Sequence, residues 1–538
     1  MSEHGTGVVL VGLPGSGKST VGRCLAQRTG RPFVDLDESI TASTGRTPAE
    51  HIDGRGEETF RQLERQAVLD ACRSTGAVIA TGGGAVIDPL NRWAFMGHGT
   101  VCWLDAPLES LLERLSADVT ARPLLDGHQA ARLAGLAQAR APYYRAADVR
   151  IDAAESAEVV TSRVIAAVAA FRGGWRRLLD QDEPRHHPQG PPTQRVVYGQ
   201  GLDGAALAGL LAPFEGRRPA VLLDRRVAAA QPALAAALPD APRRLTLDGG
   251  ERHKTFRTLG LVLGWLSDIG AERGDPLMVV GGGTIGDLGG LAAALHRRGM
   301  PLVQVPTTWL AHADSALGGK VAVDLPGAKN GVGAVWPAWA IIADTGLIGS
   351  LPLARRRDGV AECLKAGLIG DPLLWTMVEH RGKGALDGSD EAARYAITER
   401  AVRLKLAVCS RDPFEEGERR SLNLGHTLGH ALEVASGYRL AHGPAVALGL
   451  RAVAAIAAGR GAEDHLPERI DAVLHGLGLP LRAPFDPSAV RAALLTDKKR
   501  DRGRQLWILP MAVGRVEEVD DVTDLELDRA MGTITATP

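Results

Sequence analysis

The sequence predicts an α/β protein of more than one domain. A parallel sheet flanked by helices fills its first third, and a second α/β lobe then gives way to a helical one. Three observations predict this. Short apolar runs alternate with helical stretches from the N-terminus onward, the pattern of βα units that build parallel sheets. Beyond Pro352 the alternation stops and the pattern becomes helical. The chain has 538 residues, more than one core supports, because single cores stop growing near about 250–300 residues.

Taken in order, Val8–Val11, Ala77–Ala80 and Val101–Leu104 read as buried strands, and Val21–Thr29 and Glu58–Cys72 as helices, within a first domain over 1–172. A partly extended linker is expected over 173–193. There Gly173, Gly174, Pro184, Pro188, Gly190, Pro191 and Pro192 punctuate polar residues, and little besides Leu178 and Leu179 can join a core. Arg195–Tyr198, Ala220–Asp224, Leu277–Val280 and Leu302–Val305 read as strands of an α/β lobe over 194–350. Ala392–Val408, Leu422–Ala435 and Ala445–Ala458 read as helices of a lobe over 351–538.

Composition excludes several classes. A hydrophobic fraction of 45% with 23% charged residues excludes wholesale disorder. A formal charge of −1 excludes attachment to nucleic acid by bulk electrostatics. No apolar run reaches the roughly 18 residues of a membrane helix. The run Val8–Val11 leads into a glycine loop rather than a cleavage site, so no signal peptide is expected. The cysteines Cys24, Cys72, Cys102, Cys363 and Cys409 are far apart, odd in number and form no CxxC pair. That argues against a disulfide framework and for a reducing cytoplasm.

The first motif is Gly12-Leu13-Pro14-Gly15-Ser16-Gly17-Lys18-Ser19, which fits GxxxxGK[ST] between a strand and a helix. Gly15, Ser16, Gly17, Lys18, Ser19 and Thr20 then face the phosphates of a nucleotide such as ATP. Lys18 reaches the β/γ oxygens and Ser19 holds Mg2+. Asp35 and Asp37 stand two apart after Phe33-Val34, so both can point one way at a strand end. One suits Mg2+ support and the other a substrate hydroxyl; the plainer alternative is a helix N-cap cluster. Arg61, the Gly82-Gly83-Gly84 turn, Arg122 in a lid-like Arg122-Pro123-Leu124-Leu125, and Arg140 complete the set.

Together these residues resemble shikimate kinase over roughly 6–170. The resemblance implies Mg2+ contact through Ser19 and Asp35, and a substrate hydroxyl at Asp37. It implies that Arg61, Arg140 and the Gly82–Gly84 backbone, Gly83 included, hold shikimate. Arg122 would contact phosphates and acceptor. Guanidinium forks match a carboxylate bidentately.

In the second half, Gly281-Gly282-Gly283-Thr284-Ile285-Gly286-Asp287 contains GxGxxG after a strand. The acid expected about 20 positions on is missing, since Val305-Pro306-Thr307-Thr308 stands there. Asp224, at an earlier strand end, can serve a ribose instead; a tight strand-to-helix turn is the alternative. Asp314-Ser315, Gly318-Gly319-Lys320 and Lys329-Asn330 crowd acid, hydroxyl, amide and lysines into one short stretch. Glu362, His426, His430 and His442 are metal candidates. His426 and His430 stand at i and i+4, and Thr427 replaces the Glu of HExxH, which disfavours a metalloprotease.

Residues 195–538 resemble 3-dehydroquinate synthase along nearly their full length. The motifs are Gly249-Gly250-Glu251 with Lys254, the Gly281–Asp287 loop, Pro306-Thr307-Thr308, Asp314-Ser315, Gly318-Gly319-Lys320, Lys329-Asn330, Ala361-Glu362-Cys363-Leu364-Lys365, Asn423-Leu424-Gly425-His426 with His430, His442-Gly443, and Asp497-Lys498-Lys499. The resemblance implies Zn2+ (or Co2+) on Glu362, His426 and His442, with His430 beside the substrate. It puts Lys320, Lys365, Lys405, Arg419, Asn423 and Lys498, together with Asp314, on a heptulosonate phosphate. It puts Asp224, Glu251, Lys254, Gly282, Gly283, Asp287, Thr307 and Thr308, with Lys329 and Asn330, on NAD. Pro444 stands where the family usually has Glu, Ala316 where it commonly has Ser, and the adjacent Arg420 competes with Arg419 for its role.

The combined expectation is a bifunctional cytoplasmic enzyme with small-molecule substrates and no nucleic-acid or membrane partner, with room for a homodimer through the C-terminal domain. One rival for the second half is a metal-dependent polyol or glycerol dehydrogenase, which would lack the Lys320/Lys329/Lys365 set. Another is a binding module gated by the nucleotide loop.

Overall fold

The computed structural model describes residues 7–88, 91, 94–95, 98–116, 129–145, 147–171, 176–180, 195–204, 207, 211, 214, 216–239, 242–325, 328–495, 500–501 and 504–536. The chain divides into two compact units, one reaching residue 183 and the other running from Tyr198 onward.

The first unit is built on a five-stranded parallel sheet. Its spatial order is Phe33–Asp35, Val78–Ala80, Gly7–Val11, Gly99–Asp105, Val149–Asp152. The central strand Gly7–Val11 is buried along its whole length, as expected of a parallel strand with helices on both faces. Helix Lys18–Thr29 follows it, and Val21 and Leu25 join Val8, Leu10, Ile151 and Val164 in one core. The long helix Glu57–Cys72 and the helix Gln129–Arg145 bring further side chains to the carboxyl ends of the strands.

The stretch expected as a linker contains the strand Arg176–Asp180; its other residues lie outside the described ones.

The second unit carries a parallel sheet. Five of its neighbouring strands run Ala340–Asp344, Leu302–Pro306, Leu277–Gly281, Ala220–Asp224, Arg244–Leu247. Helix Gly283–Leu295 leaves directly from the end of the central strand. An antiparallel hairpin, Lys320–Leu325 with Ala328–Val335, stands beside the sheet. From Leu353 on, helices Leu353–Gly370, Pro372–Asp387, Glu391–Arg411, His426–Ala435, His442–Ala458 and Leu466–Gly476 share a core that includes Trp309 and Trp375.

Two expectations for this lobe need correction. The helix expected over Leu422–Ala435 is two pieces, a 3-10 turn Glu418–Asn423 and the α-helix His426–Ala435. Gly425 interrupts them at φ 73°, and a Cβ there would lie 2.9 Å from Leu450 N. The lobe is also not wholly helical. Trp507–Ala512 pairs antiparallel with Arg515–Val519 across a turn at Gly514, φ 81°. Trp507, Ile508, Leu509 and Met511 are buried in the helical core. Pro510 obscured this strand, because proline in a strand is tolerated only at edges and irregularities, and the pairing register does shift between Pro510 and Ala512.

Candidate functional site

Each unit gathers polar side chains at the carboxyl end of its sheet. In the first unit the Gly12–Lys18 loop turns on glycines at positive φ: 153° at Gly12, 81° at Gly15 and 86° at Gly17. L-residues rarely adopt such angles. They fold the loop over the N-terminus of helix Lys18–Thr29, whose first N–H groups have no helical partner. Lys18 is buried and its Nζ donates to Gly12 O and Leu13 O, both at 2.9 Å, and to Ser16 Oγ at 3.4 Å. Ser19 is half-buried and Thr20 exposed at the same helix start.

The strand at Phe33 ends at Asp35, so Asp35 and Asp37 do not share a strand face as alternation predicts. Asp35 is instead the N-cap of helix Leu36–Thr44, accepting from Asp37 N at 3.0 Å and Glu38 N at 3.3 Å. Asp37 sits in the first helical turn and still reaches the glycine turn, since a Cβ on Gly82 would lie 2.8 Å from its Oδ1. A Cβ on Gly83 would lie 3.2 Å from an Arg140 guanidinium nitrogen, and one on Gly84 2.6 Å from Arg61. The turn is therefore glycine because Asp37, Arg140 and Arg61 converge on it. Arg122 lies outside the described residues.

Glu64 is a site residue that the sequence reading missed. It is buried, pairs with Arg61 at 2.7 Å and lies 3.3 Å from the Cβ position of Gly82. Burial raises its carboxyl pKa in spite of Arg61. Its signal was the i, i+3 spacing from Arg61 on one helix. Tyr144 donates to Gly83 O at 2.6 Å and so fixes the turn from behind.

In the second unit three helices meet backbone to backbone. A Cβ on Gly443 would lie 2.5 Å from Asp358 Cα, and one on Gly449 1.9 Å from Gly425 O. This close approach brings Glu362, in the middle of its helix, next to His426 and His442, which each begin one. Glu362 Oε1 lies 3.5 Å from His426 Nε2 and 3.4 Å from His442 Nε2. The carboxylate is buried and neither oxygen accepts a hydrogen bond, although Lys365 forms an ion pair with Oε2. A buried carboxylate with one oxygen paired to Lys365 and the other facing two imidazole nitrogens is a donor set suited to a divalent cation. Pro444 falls in the first turn of helix His442–Ala458, where no backbone donor is required, so it leaves His442 in place.

His430 stands one turn along from His426, ring centroids 5.2 Å apart. Lys405 donates to Asp314 O at 2.6 Å and to the Asp314 carboxylate. Burial alone would raise the Asp314 pKa, but Lys405 and Lys365 hold it low. Arg419 is buried and donates to Pro413 O at 2.6 Å and Gly318 O at 2.8 Å, whereas Arg420 faces outward and pairs with Glu518. Lys320 and Asn423 both donate to Glu415, which the sequence reading missed. Lys498 lies outside the described residues.

The dinucleotide candidates form a second group. Asp224 caps a helix through Arg226 N at 2.9 Å, and a Cβ on Gly249 would lie 2.1 Å from its Oδ2. Buried Lys254 donates to Asp287 at 2.8 Å, to Glu251 at 3.4 Å and to Asn330. Burial pushes the Asp287 carboxyl up to about 6 despite Lys254. Thr307 donates its backbone N–H to Gly281 O, and Thr308 packs under Gly282. Lys329 lies 3.7 Å from Glu251 and 3.3 Å from Glu433, a further acid the sequence reading did not single out. Among the described residues no helix is long and apolar enough to cross a membrane.

Residues 14–169 match the family model for shikimate kinase. Residues 244–358 match that for the N-terminal part of 3-dehydroquinate synthase, and 359–500 that for its C-terminal part. The 3-dehydroquinate synthase of Xanthomonas axonopodis pv. citri is 40% identical over 349 residues, 62% of this chain and 93% of that protein. That of Xylella fastidiosa is 40% identical over 353 residues, 62% of this chain and 94% of its own. Among solved structures, 2-epi-5-epi-valiolone synthase from Streptomyces hygroscopicus with NAD+ and Zn2+ bound is 29% identical with a TM-score of 0.59. It covers 66% of this chain and 98% of that one. A 2-deoxy-scyllo-inosose synthase complexed with carbaglucose-6-phosphate, NAD+ and Co2+ is 26% identical with a TM-score of 0.54, covering 63% and 97%.

Proposed function

We propose, for a chain that belongs to the 3-dehydroquinate synthase family and carries a shikimate kinase domain ahead of it, the residue roles by which it runs both reactions. In the first unit ATP phosphorylates shikimate. In the second, 3-deoxy-D-arabino-heptulosonate 7-phosphate becomes 3-dehydroquinate and inorganic phosphate.

In the kinase, the Gly15–Thr20 backbone holds the ATP phosphates and Lys18 leaves its loop carbonyls for the β/γ oxygens. Ser19 and Asp35 hold Mg2+. Asp37 orients the acceptor hydroxyl, while Arg61 and Arg140, set against the glycine turn, take the shikimate carboxylate. Arg122 is assigned to the phosphates.

In the synthase, Glu362, His426 and His442 hold the divalent ion, Zn2+ or Co2+. The Gly282–Asp287 turn holds NAD, together with Asp224, Glu251, Lys254, Thr307, Thr308, Lys329 and Asn330. When bound there, the ion would supply Lewis acidity at a substrate hydroxyl and NAD would supply reversible hydride transfer. Lys365, Lys405, Arg419 and Lys320, with Asn423, Asp314 and Lys498, orient the substrate and meet the charge of the departing phosphate. His430 lies beside them, within reach of a substrate proton. One observation carries this reading: the buried Glu362 carboxylate, paired with Lys365 through Oε2, turns Oε1 to the Nε2 atoms of both His426 and His442.

The test is phosphate release from the heptulosonate phosphate, with and without chelator, while NADH is followed. The expected result is chelator-sensitive release with no net NADH; accumulating NADH would mark a polyol dehydrogenase instead. ATP-dependent phosphorylation of shikimate by the same chain tests the kinase. We place the protein in the cytoplasm, because all five cysteines are free, and expect a homodimer through the C-terminal domain, checked by its mass in solution.

A further inference from the structure

From the arrangement of Glu433 we infer that this residue is the positioning group for the metal ligand His442, and that it ties that ligand to the nucleotide side of the pocket through Lys329. The inference rests on the metal reading of Glu362, His426 and His442.

Glu433 lies on helix His426–Ala435, seven residues after His426 and three after His430. That spacing places it on the same helix face as both histidines. Its side chain is 5% exposed, so its charge stays buried only with partners. Those partners come from two directions. Oε2 lies 3.5 Å from His442 Nδ1 and 4.0 Å from His430 Nε2. Oε1 lies 3.3 Å from Lys329 Nζ.

The two nitrogens of His442 are thereby divided. Nε2 faces Glu362 at 3.4 Å, and Nδ1 faces Glu433. An acceptor on Nδ1 selects the tautomer that leaves the Nε2 lone pair free for a metal, and it fixes the ring plane. His426 has its own support, since its Nδ1 lies 3.1 Å from Leu424 O. Each histidine of the trio thus has one nitrogen turned to the common point and the other anchored, one by a backbone carbonyl and one by Glu433.

Lys329 gives the anchor its second function. It stands on the hairpin strand Ala328–Val335, next to Asn330, which accepts from Lys254. Its Nζ is placed between Glu433 at 3.3 Å and Glu251 at 3.7 Å. The chain His442–Glu433–Lys329–Glu251 therefore runs without a break from a metal ligand to the residues assigned to the dinucleotide.

The experiment uses the full-length protein stripped of metal and titrated with Zn2+ against a chromophoric chelator, for the parent, Glu362→Gln, Glu433→Gln and Glu433→Ala. Groups that hydrogen-bond the free nitrogen of a metal-bound histidine carry about 10–100-fold in affinity. The expected losses are about 10-fold for Glu433→Gln, which keeps an acceptor oxygen, and about 100-fold for Glu433→Ala. The Co2+-loaded Glu433 variants should also show a shifted visible absorption band, which a general loss of packing would not produce in folded protein. Glu433→Gln is nearly isosteric and guards against misfolding. If Glu362→Gln abolishes binding while both Glu433 variants stay within threefold of the parent, the inference is overturned and the metal reading stands. If the parent binds no Zn2+, or Glu362→Gln binds it as the parent does, the metal reading falls and the inference with it.

Discussion

The two glycine turns at the carboxyl ends of the two central strands do the same job by different physics. In the first unit Gly12, Gly15 and Gly17 all have positive φ, so the loop is a backbone shape that side chains would strain. In the second, Gly282 and Gly283 have ordinary backbone angles. They are glycine because neighbours crowd them: a Cβ on Gly282 would lie 2.9 Å from Thr308 Cγ2, and one on Gly283 2.8 Å from Ser315 Oγ. All three glycines of the first loop need a left-handed backbone, whereas the two of the second need only the space that packed side chains leave. A sequence pattern such as GxGxxG does not distinguish the two cases, because it records where a side chain is missing and not why.

The largest effects test whether each site is self-contained. Glu362→Gln should reduce phosphate release to the level of chelator-treated protein, well beyond the roughly 10–100-fold carried by a group that only supports a metal-bound histidine, while shikimate phosphorylation stays at the parental rate. Lys18→Met should do the reverse, lowering kcat of the kinase by about 10²–10³-fold, the scale of removing one donor to transition-state charge. Assays of both reactions on each variant check the pair. A loss of both activities in either variant would mean that the sites are not independent.

The next effects address the glycines themselves. Gly283→Ala should destabilise the second unit by about 1–3 kcal/mol, the usual cost of overpacking, read as a shift in its urea midpoint. Ser315→Ala should recover most of that loss, because Ser315 Oγ is buried without a partner and its removal leaves no lost hydrogen bond behind. Gly17→Ala should cost about 1–2 kcal/mol through its left-handed backbone alone. Its nearest neighbour, Val21 Cγ2 at 3.8 Å, leaves room for a methyl group, so trimming Val21 should rescue nothing. Rescue of both variants, or of neither, would erase the distinction.

The fold class, the nucleotide loop and the meeting of Glu362, His426 and His442 were legible because each rests on a motif placed between recognisable elements. What stayed hidden has a common character. Glu64, Glu415, Glu433 and Asp324 are all counter-charges: they hold Arg61, Lys320 and Asn423, Lys329, and the Lys254–Asn330 pair respectively. A reading that asks which cations meet an anionic substrate passes over the acids that hold those cations. Two of the four were within reach, since Glu64 and Glu433 lie at helical spacing from residues already singled out. Glu415 and Asp324 were not, because the lysines they pair with, Lys320 and Lys254, stand far from them in the chain and only tertiary structure joins them. Asp37 was placed on the wrong element for a local reason, namely that the strand ends two residues earlier, at Asp35, which caps a helix.

The smallest effect concerns the adjacent arginines, and it tests whether side-chain packing governs the second site. Arg419 is 3% exposed and holds two backbone carbonyls, Pro413 O and Gly318 O. A Cβ on Gly318 would lie 2.6 Å from it, so its guanidinium is fixed by the same crowding that fixes Gly282 and Gly283. Arg420 makes a partly exposed pair with Glu518 at 3.3 Å, and such pairs contribute under about 1 kcal/mol. Arg420→Ala should therefore leave phosphate release and KM within twofold of the parent and shift the urea midpoint only slightly. Arg419→Lys, which keeps the charge but loses the fork, should raise KM for the heptulosonate phosphate more than Arg420→Ala does. The opposite ranking would assign the substrate-facing role to the outer arginine and would leave packing with no say in which of two neighbouring cations serves the site.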